Sequence, residues 1–422
     1  MKLSLIGSVV SLAASTAAYG QNAFMSRPSY GLQNTSAPPL PPSKDSWYTA
    51  PNNFEAAAPG TILRLRQAPG NLTGVQVNSS VAYNILYRTT NSKYQPAWAV
   101  TTLLVPTHPD GNDKLLSYQI PYDSADVDSS PSYAMYATGV ADVTAALGRG
   151  LYVNVPDYEG PLASFTAGVM SGHATLDSIR AVLSSGFGLD TDSTKYAMWG
   201  YSGGALASEW AAELQVQYAP EMNFAGAALG GLTPNVTSVV VAVSGTLEAG
   251  LIPAGIVGLS TQYPELLEYL KGALNQDGQF NATGFFATRN YTLVESIVAY
   301  INQDITKYFK TGVSALQAPI PSTIINRDGI MGYHGFPEMP IFAYKAIMDE
   351  VSPINDTDKL VNRYCEVGAT IRYDRNTIGT HTSEATNGDA RAVQFLTSVL
   401  GGNYNATGCQ IQNVTVNATA SM

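Results

Sequence analysis

The amino-acid sequence predicts an α/β fold, with a mostly parallel sheet flanked by helices and a helical cap inserted into it. Apolar, strand-like runs alternate with stretches of helical periodicity over most of the chain, which indicates βαβ units. The runs are rich in β-branched and aromatic residues and show little polar alternation, as do the strands of a parallel sheet covered on both faces. One long segment has helical patterns alone, and this segment predicts the cap.

The order of these elements defines the predicted domain organisation. The strand-like runs cover residues 98–105, 114–121, 150–156, 196–199, 224–229, 340–346 and 369–373. Helical spacing is seen at Leu206, Trp210 and Leu214, at Leu360 and Tyr364, and at Val393, Leu396 and Leu400. In the cap segment, the helical stretches 244–259, 264–274 and 293–309 follow one another without a strand. We therefore expect a core of residues 47–231 and 322–422 and a helical cap, or lid, at 232–321.

The N-terminal residues 1–20 have the pattern of a signal peptide. Met1-Lys2 precedes an apolar stretch and a small-residue run that ends at Gly20, so cleavage is expected near Gly20. Residues 21–46 are rich in proline, serine and asparagine and predict an extended arm without regular structure. The apolar tract 236–259 contains a glutamate, a proline and four glycines, which argues against a membrane span. The chain is thus expected to be secreted into the extracellular space.

Glycosylation sequons and cysteines fit an oxidising, extracellular compartment. Asn-x-Ser/Thr sequons stand at Asn34, Asn71, Asn78, Asn235, Asn281, Asn290, Asn355, Asn405, Asn413 and Asn417, and such sites receive surface glycans in exported proteins. The two cysteines, Cys365 and Cys409, are expected to pair. Closing so long a loop would stabilise the fold by roughly 4 kcal/mol in the chain-entropy model. Two free buried thiols are the alternative.

The formal net charge of −10 restricts the partners of the chain. Nucleic acid and anionic membrane surfaces need clustered lysine and arginine, which this sequence lacks. No motif implies a metal or a cofactor, and none indicates an oligomeric state. We therefore expect a small-molecule partner and no nucleic acid.

The pentapeptide Gly200-Tyr201-Ser202-Gly203-Gly204 matches Gly-x-Ser-x-Gly. A strand-like run ends at Trp199 and helical spacing follows, which is the context of a nucleophile elbow in an α/β-hydrolase, with Ser202 as nucleophile. The tight turn admits only small residues two positions either side of the serine. A helix that begins at the serine would direct its N-terminal amides at a developing oxyanion, with the Gly203 N–H as one donor. A second donor is expected after the third strand, through the backbone N–H of Asp123. A plain glycine turn is the alternative.

A serine nucleophile needs a base, and the chain has only four histidines. In a fold of this type the base comes last in chain order, on a loop after the final strand. His381 lies in such a place, in Gly-Thr-His-Thr-Ser before a terminal helix, and is predicted as the base. His334 is the main competitor. We expect His108 on the surface and His173 as a capping or packing residue near a helix start.

The acid that orients the base should follow the penultimate strand. Asp349 and Glu350 both stand in the turn after the predicted strand 340–346, and Asp349 is preferred for its position and its shorter side chain. Glu350 is an alternative, and Asp157 and Glu159 are weaker ones. A carboxylate in such a turn is more commonly a helix cap or a surface charge, so the chain order carries this prediction.

Further motifs form a family pattern with the serine pentapeptide. The chain carries Tyr87-Arg88-Thr89-Thr90-Asn91, Ser117-Tyr118-Gln119, Pro131-Ser132-Tyr133, Tyr218-Ala219-Pro220-Glu221 and Ala346-Ile347-Met348-Asp349-Glu350 beside Ala205 and the His381 loop. In this combination it resembles the fungal secretory lipases of the yeast lipase A type from about Trp47 to Leu400. The resemblance implies an α/β-hydrolase core with a helical lid and hydrolysis of acylglycerols and simpler esters. It also implies Ser202, Asp349 and His381 as the catalytic triad and Asp123 and Gly203 as the oxyanion hole.

Two features depart from this pattern. Ser129 stands where the lipase A form has a cysteine of a second disulfide, so only the pairing of Cys365 with Cys409 carries over. The lipase A form also has a longer C-terminal extension, which folds as a flap over the site. Because this chain ends soon after Cys409, a more open substrate tunnel is expected.

The predicted function is that of a secreted serine ester hydrolase, a lipase or a carboxylesterase, that acts through an acyl-enzyme on Ser202. The tract 236–259 would bind the acyl chain, since each buried CH₂ contributes about 0.8 kcal/mol. An ordinary buried helix pair is the alternative for this tract. A serine peptidase or amide hydrolase of the same fold and a non-catalytic, hydrolase-like lipid-binding protein are the other candidate functions. The expected partner is an ester or lipid molecule, and transient contact with a lipid interface is left open.

Overall fold

Ten strands form one sheet in the computed structural model, which describes residues 37–111 and 114–418. The strands are β1 (Ile62–Gln67), β2 (Ser79–Thr90), β3 (Pro96–Pro106), β4 (Lys114–Gln119), β5 (Tyr152–Pro156), β6 (Lys195–Tyr201), β7 (Gly226–Gly230), β8 (Ile341–Ala346), β9 (Ile371–Asn376) and β10 (Cys409–Val414). Their order across the sheet is β1-β2-β3-β5-β4-β6-β7-β8-β9-β10. The pairs β1–β2, β2–β3 and β3–β5 are antiparallel, and the other pairs are parallel. The predicted mostly parallel sheet is therefore confirmed.

The helices alternate with the strands from β4 to β7 and again from β8 to β10. They are α1 (Leu72–Val75), α2 (Pro131–Ala134), α3 (Ala141–Gly148), α4 (Gly168–Leu183), α5 (Gly203–Tyr218), α6 (Val236–Val243), α7 (Leu251–Ser260), α8 (Pro264–Ala273), α9 (Ala282–Phe286), α10 (Leu293–Tyr300), α11 (Pro319–Asp328), α12 (Ile354–Glu366) and α13 (His381–Gly401). Short 3₁₀ helices span Pro42–Lys44, Ser46–Tyr48, Phe54–Ala56, Val127–Ser129, Gly160–Leu162, Ala287–Asn290, Ile305–Tyr308 and Gly312–Gln317. Within the described ranges, no helix combines the length and the hydropathy that a bilayer span requires.

Alternate residues of β6 show how the sheet is covered. Met198 belongs to a buried cluster with residues of α4 and α5, whereas Ala197 and Trp199 belong to a second cluster with residues of α3 and α13. The strands β5, β7 and β8 are buried along their whole length. Burial on both faces explains why these strands appear in the sequence as mostly apolar runs without regular polar alternation.

Three strands lie outside the predicted set. The seven predicted runs correspond to β3 through β9, and the sequence prediction omits β1, β2 and β10. The strands β1 and β10 are the two edges of the sheet, and most of their residues are partly or fully exposed. Exposed edge strands can carry polar residues, so they lack the apolar run on which the prediction relied.

The chain between β7 and β8 forms helices α6 to α11, with no further strand among these described residues. The prediction of helix over 244–259 is wrong at its start, because α6 ends at Val243 and α7 begins at Leu251. Gly245 has a φ of +83°, a conformation that an α-helix excludes. The predicted stretch 293–309 is also interrupted, since α10 ends at Tyr300.

The predicted signal peptide and residues 21–36 of the predicted arm lie outside the described residues. The rest of the arm contains the 3₁₀ helix Pro42–Lys44, where the expectation was no regular structure. A proline at the first position of a helix already has the required φ. Ser43 donates hydrogen bonds from its main-chain N–H and from Oγ to the carboxylate of Asp128, at 2.8 and 2.7 Å. These contacts hold the end of the arm against the core.

A disulfide bond joins Cys365 to Cys409. Cys365 lies in the last turn of α12, and Cys409 is the first residue of β10. Because β10 pairs with β9 alone, the bond provides a covalent attachment for this edge strand.

Candidate active site

Ser202 lies between the last residue of β6 and the first residue of α5. Its φ of 53° and ψ of −121° form a sharp and strained turn. A Cβ added at Gly200 would overlap the main chain of Gly204, and one added at Gly204 would overlap the carbonyl oxygen of Gln119. Only glycine therefore fits at either end of the pentapeptide. This local geometry is that of a nucleophile elbow.

The imidazole of His381 lies between Ser202 and Asp349. Its Nε2 is 2.8 Å from Oγ of Ser202, and its Nδ1 is 2.8 Å from Oδ2 of Asp349. The three side chains predicted from the sequence are thus brought together, although Ser202 and Asp349 are 147 positions apart in the chain. The placement of His381 on a loop is wrong, because it is the first residue of α13, with Thr380 as its N-cap.

The carboxylate of Asp349 is held by four hydrogen bonds. Oδ1 accepts from the main-chain N–H groups of Val351 and Ser352, at 3.0 and 2.8 Å. Oδ2 accepts from His381 and from Nζ of Lys345, which is also 2.8 Å away. Burial by itself would raise the pKa of Asp349, but the His381 hydrogen bond and the Lys345 charge outweigh it and lower the pKa to about 2. Asp349 is therefore ionised at neutral pH.

Asp123 and Gly203 lie against each other beside the nucleophile. Asp123 follows β4 and has a φ of 42°, which is rare for a residue with a side chain. A Cβ added at Gly203 would overlap Oδ1 of Asp123, so the absence of a side chain at Gly203 makes room for this carboxyl. Burial raises the pKa of Asp123 to about 7, against the opposing effect of its own main-chain N–H.

Comparison with known proteins agrees with this fold. Residues 134–408 match the family model described as secretory lipase. The chain is 54% identical over 406 residues to a trichothecene C-3 esterase from Fusarium sporotrichioides, covering 92% of this chain and 91% of that protein. It is 38% identical over 401 residues to lipase A from Arthroderma benhamiae, covering 89% and 83% of the two chains.

The chain belongs to the secretory lipase family. A crystal structure of Candida antarctica lipase A in its closed state is similar to it, with a TM-score of 0.81 and 28% identity over 90% of this chain and 91% of that one. The resemblance stated from the motifs is therefore confirmed, as is the α/β-hydrolase fold. This member of the secretory lipase family is a serine ester hydrolase.

The three histidines other than His381 lie in other environments. His334 packs its ring against Trp210, and its Nδ1 is 3.3 Å from Oε1 of Glu213. His173 is buried within α4, where its Nδ1 lies 3.2 Å from the carbonyl oxygen of Thr90. His173 is therefore a packing residue, one of the two expected roles, and it lies inside α4 and not at its first residue. His108 is exposed, as expected.

The alternative acids also have other partners. Oε2 of Glu350 accepts the main-chain N–H of His381 at 2.8 Å, so this carboxylate contacts the backbone of the base. Asp157 accepts hydrogen bonds from the main-chain N–H and the Oγ of Ser132, at 2.8 and 2.6 Å. Glu159 is buried, and burial raises its pKa well above the usual value. Within the described residues, no cluster of histidine, cysteine and acidic side chains has a metal-binding arrangement.

Two contacts at this site were not predicted from the sequence. The hydroxyl of Tyr201 donates a 2.5 Å hydrogen bond to the carbonyl oxygen of His381, and Lys345 binds Asp349. The lysine had a detectable signal, because it is the one charged residue in the otherwise apolar strand β8. Tyr201 occupies the unspecified position of the Gly-x-Ser-x-Gly pattern and had none.

An apolar pocket begins at Ser202. Its wall includes Asp123 and Gly203 and side chains from α6, α7, α8 and α11, among them Val240, Leu251, Ile256, Leu259, Leu266 and Ile325. The helices between β7 and β8 thus provide most of the surface that a bound molecule would contact. In this member of the secretory lipase family, the pocket suits the apolar part of an ester.

Proposed function

We propose that the chain hydrolyses carboxylic esters through an acyl-enzyme on Ser202, with His381 as base and Asp349 as the acid that orients it. The observation that carries the proposal is the position of His381, whose two ring nitrogens lie 2.8 Å from Ser202 Oγ and from Asp349 Oδ2. A serine hydroxyl becomes an effective nucleophile when a base within hydrogen-bond reach removes its proton.

Each residue has a defined step in this mechanism. Ser202 Oγ attacks the ester carbonyl carbon while Nε2 of His381 takes the hydroxyl proton, and Asp349 stabilises the imidazolium that forms. The main-chain N–H groups of Asp123 and Gly203 hold the oxyanion, aided by the N-terminal amides of α5. His381 then returns the proton to the departing alcohol. Water, activated by the same imidazole, releases the acid and restores Ser202.

The proposal assigns residues 232–321 as a cap and the pocket as the binding site of the apolar part of the ester. Each CH₂ buried there contributes about 0.8 kcal/mol, so the length of the pocket sets a chain-length preference. Exposed side chains on the cap, including Val241, Val294 and Val298, support transient contact with a lipid surface. Under this proposal, ester or lipid molecules are the partners.

A trichothecene ester is a second candidate substrate. The relatives named trichothecene C-3 esterase and probable trichothecene esterase SAT6 are 54% and 40% identical to this chain. Lipase A of Arthroderma benhamiae and lipase 4 of Candida albicans are 38% and 36% identical. The greater similarity to the esterases favours a trichothecene ester over an acylglycerol.

Covalent labelling tests the catalytic assignment. A fluorophosphonate should form one adduct, on Ser202, and Ser202→Ala should lose both the adduct and ester hydrolysis. Failure of the wild type to react would contradict the mechanism and favour a non-catalytic lipid-binding protein. Labelling at a different serine would also contradict it.

A substrate panel then separates the candidate substrates. We expect hydrolysis of p-nitrophenyl esters, and faster hydrolysis of a C-3 trichothecene ester than of emulsified triglyceride. Matched p-nitroanilides should react far more slowly. Anilide turnover equal to ester turnover would favour the amide hydrolase instead.

The proposal also places the enzyme outside the cell. The predicted signal peptide, the disulfide and the exposed sequons at Asn290, Asn355 and Asn405 support an extracellular location. The expected result is activity in the culture medium and a mature N-terminus near residue 21. Retention of the enzyme in the cytosol would contradict this location.

A further inference from the structure

Lys345 is a buried charged residue in an interior strand of the sheet. It lies in β8, next to the last residue of the strand, and its side chain has no exposed surface. Its Nζ donates to Oδ2 of Asp349 at 2.8 Å and to the carbonyl oxygen of Leu232 at 2.7 Å. Burial of an ammonium group is costly unless it is paired and hydrogen-bonded. A lysine at this position therefore calls for a specific role.

We propose that Lys345 is a positioning residue of the ester hydrolase, which holds Asp349 in place and limits how strongly that carboxylate favours the protonated form of His381. The inference rests on the proposed triad. In this role, the positive charge of Lys345 adjusts how readily His381 takes and returns the proton in the steps described above.

The geometry supports this role through one shared oxygen atom. Oδ2 of Asp349 accepts from both Lys345 and His381, so the ammonium and the imidazole are separated by no more than twice the 2.8 Å contact distance. A positive charge this close opposes a second positive charge on the imidazole. The two main-chain donors on Oδ1 prevent the carboxylate from turning away from this arrangement.

The electrostatics of the buried pair point the same way. Burial lowers the pKa of Lys345 below its usual value, and the adjacent Asp349 carboxylate opposes this effect. The other charged and titratable groups that act on this region are Glu350, which binds the main-chain N–H of His381, Asp356 on α12, Glu384 on α13 and the Tyr201 hydroxyl. A substitution at Lys345 leaves all of these surrounding groups in the protein, so a change in the pH profile is due to the loss of the lysine charge.

The second contact of Lys345 supplies the competing explanation. Leu232 follows β7 at the start of the segment that leads to the pocket helices, so the lysine also ties this segment to β8. A purely structural lysine would affect stability when it is replaced. It would not change the pH at which the base becomes active.

The pH profile of kcat/KM separates the two explanations. Lys345→Met removes a positive charge beside the imidazole. Because the loss of this charge favours the protonated imidazole, the midpoint of the acidic limb should move up by about one pH unit. Lys345→Arg keeps the charge and should keep the midpoint near that of the wild type, even if kcat falls. Lys359→Met is the matched control, since Lys359 is largely exposed on α12 and its removal should leave the profile unchanged.

Lys345→Gln is a second neutral variant, whose amide can still donate to the Leu232 carbonyl if the methionine variant does not fold. An upward shift in either neutral variant, restored by arginine, supports the proposal. An unchanged midpoint in the neutral variants would overturn it, whether or not the melting temperature falls. The fluorophosphonate adduct on wild-type Ser202 distinguishes this failure from failure of the proposed mechanism, because the adduct forms whatever the role of Lys345.

Discussion

The hydroxyl of Tyr201 donates a hydrogen bond of 2.5 Å to the carbonyl oxygen of His381. Tyr201 is the residue before the nucleophile, so the strand that presents Ser202 also holds the main chain of the base. The Tyr201 ring packs closely over Gly230 and Gly231, where a Cβ would collide with it. This packing fixes the direction of the hydroxyl.

Loss of that hydroxyl should slow catalysis without removing it. Tyr201→Phe keeps the ring and leaves the carbonyl of His381 without this donor, which is worth about 0.5–1.5 kcal/mol, or a roughly 2- to 10-fold lower kcat. Tyr344→Phe is the matched control, because Tyr344 OH accepts a 3.0 Å hydrogen bond from Trp199 Nε1 and does not contact His381. Steady-state kinetics and melting temperatures should show lower kcat in the first and lower stability alone in the second.

The two neighbouring acids should differ in their effect on the rate. Asp349→Asn should lower kcat by about 10⁴-fold, since the amide no longer stabilises the imidazolium or its tautomer. Glu350→Gln should lower kcat by about tenfold or less, because Glu350 contacts only the main-chain N–H of His381 within the triad. Equal losses in the two variants would contradict the assignment of Asp349.

Filling the apolar pocket should change the chain-length preference. Val240 lines the pocket from α6, and Val240→Phe should raise KM for long-chain p-nitrophenyl esters several-fold while acetate hydrolysis changes little. Val367→Phe is the control, as Val367 is exposed at the end of α12, outside the cap and the pocket. The ratio of kcat/KM for a long and a short acyl group is the quantity to measure. A uniform loss for all chain lengths would show that the acyl chain binds elsewhere.

A buried acid outside the triad should make the fold less stable as pH rises. Burial raises the pKa of Asp157 to about 7, although hydrogen bonds from Ser132 oppose the shift. Between about pH 4 and pH 7 the unfolded chain releases this proton and the folded chain keeps it, so the free energy of unfolding falls with pH over this range, by at most about 4 kcal/mol. Asp157→Asn removes this contribution. The melting temperature of the wild type should therefore fall, relative to that of the variant, from pH 4 to pH 7.

The same variant separates Asp157 from the catalytic acids. Its kcat should stay within a few-fold of the wild-type value, because the carboxylate binds Ser132 and does not bind His381. A loss as large as that expected for Asp349→Asn would contradict the proposed triad. A parallel pH dependence of the two melting temperatures would contradict the proton assignment.

Most of the central sheet could be predicted because its signal is local. A strand buried on both faces needs mostly apolar residues, and the runs that predicted β3 through β9 are rich in β-branched and aromatic residues. The edge strand β10 has the sequence Cys-Gln-Ile-Gln-Asn-Val and faces solvent, so nothing in its composition distinguishes it from a loop. Its pairing with β9 depends on a contact between segments far apart in the chain.

The amino-acid sequence determined the elbow around Ser202, the α/β character of the fold and the short set of candidate bases and acids, because glycine sterics, apolar runs and chain order are properties of neighbouring residues. Only the tertiary structure shows that Asp349, and not Glu350, contacts the imidazole ring of His381. These adjacent carboxylates contact the ring and the main chain of the same histidine, and their directions depend on how β8 and α13 pack. The contacts of Tyr201 and Lys345 were decided in the same way, since each joins groups that meet only after the sheet has assembled.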